Sequence, residues 1–70
     1  SSDAVHMLQL MLNRVAGRYI NLLPVAVTGI YDEGTAQAIE VFQTCCLLEA
    51  DRGKTDKRTW NHLVRLYHLV

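Results

Sequence analysis

The chain has 70 residues and a mass of 7.9 kDa; half its residues are hydrophobic, and seven Lys or Arg balance seven Asp or Glu. Folding a chain this size buries about 60% of its unfolded surface, enough for one modest core and too little for a deep cleft between lobes. The composition excludes a disordered chain, zero formal charge counts against a nonspecific nucleic-acid binder, and no apolar run approaches the about 20 residues of a membrane span.

The first segment reads as a helix. Val5, Leu8, Met11, Leu12, Val15, Ala16 and Tyr19 recur at spacings of three and four, and Ser2 or Asp3 can cap the start. The stripe runs on past Gly17 to Tyr19 and Ile20. A loop from about Asn21 to Tyr31 holds Pro24 and Gly29, and its Leu22, Leu23, Val25 and Val27 are apolar enough to fold back over the core. The second helix is expected from Asp32 to about Cys46, with Thr35, Ala38, Ile39, Phe42 and Cys46 inward. Asp32 caps it, and Glu33 favours the positive end of its dipole. After a second loop with Asp51 and Gly53, a third helix runs from Asp56 towards the C-terminus. Its stripe is Thr59, Trp60, Leu63, Leu66, Tyr67 and Val70. With no strong strand signal, the expectation is one all-α domain over residues 1–70, an orthogonal three-helix bundle.

Two stretches repeat without gaps. Gly29 to Ile39 aligns with Gly53 to Leu63 in the pattern G-x-x-D-x-x-T-x-x-x-[I/L]. In each, Gly permits a positive φ, Asp caps the next helix, Thr reaches the exposed first turn, and the apolar residue enters the core. The bundle is therefore a lone helix followed by two loop-helix units.

Catalytic signals are lacking. Cys45 and Cys46 are neighbours, too close along the chain for ordinary disulfide geometry, and read as small apolar residues near a helix end. His6, His62 and His68 supply no metal-ligand spacing. No carboxylate pair comes with a pocket for glycoside chemistry, and a Cys-His pair would lack an orienting group and an oxyanion hole. Gln43 and Asn13, at the ends of helical stripes, are expected to satisfy loop backbone groups.

The ordered set Val5-x-x-Leu8-Gln9-x-x-Leu12-Asn13, Val27-Thr28-Gly29-Ile30-Tyr31-x-x-x-Thr35-x-x-Ala38-Ile39-x-x-Phe42-Gln43, then Leu48 and Thr59-Trp60-x-x-Leu63, resembles the peptidoglycan-binding domain family. This is a small three-helix module attached to many bacterial cell-wall hydrolases. The chain departs from the family pattern in its loops. Thr28 and Arg52 stand for Asp, Asp32 and Asp56 for Gly, Leu47 for Gly, and Lys54-Thr55 for a small apolar pair. The resemblance implies noncatalytic binding of peptidoglycan, through stem peptide or glycan, at the bacterial cell wall or cell envelope. The module would target an attached catalytic domain, without cofactor or metal.

The ligand-binding residues expected on this basis are Gly29, Tyr31, Asp32, Gly53, Asp56 and Trp60. They would form a shallow groove at the two Gly turns, where free N–H groups at helix N-termini suit carboxylates. Trp60 is read first as a partly buried anchor. Tyr31 is read as a core ring whose hydroxyl reaches the surface. Two rivals stand beside this reading. Lys57, Arg58 and Arg65 suggest a helix-turn-helix DNA reader, against which count the zero charge and side chains that face several directions. The same fold can also serve as a protein-docking or prodomain-like element, presenting an apolar patch to a partner.

Overall fold

The computed structural model describes residues 3–16, 24–46, 48 and 53–69. It contains three helices, α1 (Asp3–Val15), α2 (Glu33–Cys45) and α3 (Lys57–Leu69), and no strand among the described residues. Ser2, Gly17, Tyr19, Ile20, Asn21, Leu22, Leu23, Leu47, Asp51, Arg52 and Val70, which figured in the expectations above, lie outside them.

The helices begin where the local chemistry places them. Asp32 takes an extended backbone and accepts a hydrogen bond from the Thr35 N–H at 2.9 Å, which starts α2 one residue later. Asp56 accepts from the Thr59 N–H at 2.8 Å in the same way at α3. Asp3 and Arg14 complement the two ends of the α1 dipole.

Leu8, Met11, Leu12 and Val15 of α1 meet Ala38, Ile39 and Phe42 of α2 and Leu63 of α3 in one core. Val25, Cys46, Leu48, Trp60, Leu66 and Tyr67 close over it, and α1 lies directly against α3. The Cα radius of gyration is 10.6 Å, close to the about 11 Å expected of a folded chain of this length. Of the two described loop valines expected to fold inward, Val25 does and Val27 does not. Asn13 takes hold of Val25 at both backbone groups, donating to its carbonyl at 2.9 Å and accepting from its N–H at 2.7 Å.

Candidate binding groove at the paired turns

The core is not wholly apolar. Gln9, Thr35, Gln43 and Thr59 are buried to 1% exposure or less, so each needs hydrogen-bond partners. Gln9 Oε1 accepts from the N–H groups of Thr28 and Gly29, both at 2.9 Å. Its Nε2 donates to the Ile30 carbonyl at 3.0 Å and to Thr35 Oγ1 at 2.9 Å. Gln43 repeats the device one helix later. Its Oε1 accepts from the Gly53 N–H at 3.1 Å, and its Nε2 donates to the Lys54 carbonyl at 2.9 Å and to Thr59 Oγ1 at 3.1 Å. Backbone N–H groups only donate and carbonyls only accept, so each amide has one possible orientation.

These clamps hold the turns where the glycines bend. Gly29 has φ 78° and Gly53 φ 79°, a region that side-chain-bearing residues rarely adopt. Each relay continues outward. Thr35 Oγ1, accepting from Gln9, donates to Asp32 Oδ1 at 2.9 Å. Both Asp carboxyls sit below the usual carboxylate range. The N–H and then the hydroxyl of Thr35 lower Asp32; those of Thr59 lower Asp56, with Arg58 adding a smaller pull.

Tyr31 ties the two turns together. Its hydroxyl donates to the Gly53 carbonyl at 2.6 Å and lies 3.1 Å from Thr55 Oγ1. A carbonyl can only accept, so it claims the single tyrosine proton, and the Thr55 hydroxyl is then the donor to Tyr31. Tyr31 is 37% exposed. The expectation of a core ring is therefore corrected: stretching the hydroxyl across to the second turn lays the ring over the surface.

The ring walls a groove of about 390 Å³ lined by Ala4, Val5, Leu8, Tyr31, Lys54, Thr55 and Trp60. Aliphatic side chains of α1 form one side. Tyr31 and the residues after Gly53 form the other, with Trp60 from the first turn of α3. Trp60 is half-buried and packs against the core, as expected of an anchor, while also lining this groove.

The family model of the peptidoglycan binding domain matches residues 1–63. The chain belongs to the peptidoglycan-binding domain family. No curated protein and no solved structure matched it. A peptidoglycan-binding domain is a binding module, noncatalytic by itself, and the family ties the chain to peptidoglycan binding. No helix of the described residues is long and apolar enough to cross a membrane.

Among the six residues expected at the site of this peptidoglycan-binding domain, Tyr31 and Trp60 line the groove. Gly53 adjoins it through the Tyr31 bond. Gly29 is buried, and its N–H is spent on Gln9. Asp32 and Asp56 are exposed caps outside the groove lining. The N–H groups of Thr28, Gly29 and Gly53 at the turns are taken by Gln9 and Gln43, and those of Thr35 and Thr59 at the helix starts by the caps. Ala4, Val5, Leu8, Lys54 and Thr55 were not foreseen as groove residues. The basic residues of α3 also differ from expectation. Lys57, Arg58 and Arg65 line one shallow hollow with Asn61 and His62, because Lys57, Asn61 and Arg65 stack at spacings of four and Arg58 and His62 form the adjacent row.

Proposed function

We propose that this domain holds peptidoglycan in the groove between α1 and the turn before α3, and so keeps an attached cell-wall enzyme at its substrate. The observation that carries the reading is the groove itself. Tyr31 and Trp60 face a ligand-sized hollow in a chain whose family binds peptidoglycan. In this reading Gly29, Gly53, Asp32 and Asp56 serve binding indirectly, by fixing the turns and helix starts that carry the contact residues. So small a face gives weak affinity, from tens of micromolar to millimolar in order of magnitude. Weak binding suffices for a tether, because a linked enzyme gains local concentration rather than a new contact. The setting is the bacterial cell envelope, outside the membrane.

Co-sedimentation with purified insoluble sacculi tests this. Wild-type domain should pellet with sacculi. Tyr31→Ala and the groove-filling Ala4→Gln, each shown folded by circular dichroism, should stay in solution. Ala4 is exposed and Gln is a good helix former, so the second variant leaves the core alone. Exposed Met7, Leu10 and Ile30 favour a second reading, a protein-docking surface. Wild-type domain left in the supernatant at low salt points to that reading.

A further inference from the structure

We infer that the groove takes the peptide part of its ligand, a short chain ending in a small apolar residue with a free carboxylate, and that Lys54 receives the carboxylate. The inference rests on the reading of this groove as the peptidoglycan contact face and selects between the two chemistries peptidoglycan offers. A glycan strand presents hydroxyls and acetamides around every ring. A groove for it needs several side chains free to donate and accept. Here both hydroxyl protons are consumed within the protein, that of Tyr31 by the Gly53 carbonyl and that of Thr55 by Tyr31. Ala4, Val5 and Leu8 offer only hydrocarbon. Among the described residues lining the groove, Lys54 is the one charged side chain.

One cation beside an aliphatic and aromatic trough matches one anion on a small apolar ligand. Lys54 is also well placed to serve as a fixed anchor. Its side chain is exposed, while its carbonyl accepts from buried Gln43 and the preceding Gly53 N–H donates to the same amide. The backbone that presents the ammonium group is therefore held from inside the core.

The probes are Nα,Nε-diacetyl-Lys-D-Ala-D-Ala, its C-terminal amide, and a tetramer of N-acetylglucosamine. Binding is followed by amide and indole chemical shifts of the wild-type domain and of Lys54→Met, at 20 mM and 300 mM salt. Lys54→Met leaves the Lys54 carbonyl in place, so the Gln43 clamp survives. The free acid should shift the resonances of Tyr31, Thr55 and Trp60 and bind about fivefold tighter than the amide at low salt, the upper end for an exposed charge pair. High salt should shrink the difference, and Lys54→Met should abolish it. Equal binding of acid and amide, an undiminished difference in Lys54→Met, or groove shifts with the sugar tetramer alone overturns the inference. Sacculi sedimentation of the same preparation separates the failures. Pelleting without discrimination between acid and amide removes the carboxylate assignment and leaves the wall-binding reading. No pelleting and no shifts removes both.

Discussion

Replacing Gln9 by Leu keeps the bulk of a fully buried side chain and deletes every bond it makes. The Gly29 N–H lies at a buried residue, and leaving such a donor unpaired costs about 1–3 kcal/mol. The Thr28 N–H, the Ile30 carbonyl and the acceptor site of Thr35 Oγ1 also lose partners. Water reaches the first two more easily, so they lose roughly 0.5–1.5 kcal/mol each. Leu returns some hydrophobic gain, so the net loss is about 2–5 kcal/mol. A domain of this length has a total stability of about 3.5–10 kcal/mol. Urea unfolding followed by Trp60 fluorescence reads the change. With a slope of about 1 kcal/mol per molar for so small a chain, the midpoint should fall by about 3 M or the variant should not fold. Gln37→Leu is the control. Gln37 is exposed, with one long contact to Glu33 at 3.4 Å, and should change stability by less than about 0.5 kcal/mol. A Gln9→Leu midpoint within 1 M of wild type would refute the claim that this amide holds the turn.

Two further outcomes follow from the same geometry. Tyr31→Phe keeps the groove wall and removes the 2.6 Å tie to Gly53; at this exposed site it should cost about 0.5–1 kcal/mol in urea unfolding, with broadened Gly53 and Thr55 resonances as the second turn loosens. Asp32→Asn with Asp56→Asn keeps two good caps and removes two titrating groups. Both carboxyls have folded pKa values below their unfolded ones, so their contribution is present above about pH 4 and lost as pH falls through the folded values. Melting temperature of the wild type should therefore drop more steeply from pH 5 to pH 2 than that of the double Asn variant, and parallel curves would remove the assignment.

What the chain revealed in advance was what neighbours along it decide. The three apolar stripes, the Asp32 and Asp56 caps and the two positive-φ glycines depend on spacings of a few residues, and within the described residues each emerges as read. Asn13 and Gln43 were expected to serve loop backbone, and both do, because an amide at the end of an apolar stripe must find polar partners inside. The role of Gln9 was less visible, since its turn lies across a long loop and only the family motif marked it. The groove was the least legible part. It forms only when α1 lies beside the turn before α3, which brings Ala4 and Val5 against Lys54 and Trp60. Tyr31 misled because an aromatic ring after a turn ordinarily points inward. Here its hydroxyl finds a carbonyl 22 residues away along the chain, and that one bond decides where the ring lies.

The two clamps also bear on how such a chain can change length. Gln9 reaches a glycine 20 residues ahead, and Gln43 reaches one only 10 ahead, yet both glycines settle within a degree of the same φ. The intervening chain does not dictate either bend; the preceding helix does. Ahead of Val25, which Asn13 clamps, and of Thr28, which Gln9 also holds, residues can be added or removed at little more than the slow logarithmic entropy of a longer loop. From the glycine to the threonine the spacing is rigid, because one amide grips both ends of that stretch. The unit that natural variation or an engineer must keep whole is thus Gly29 to Thr35 or Gly53 to Thr59, and the segment ahead of it is the place where new sequence can be inserted.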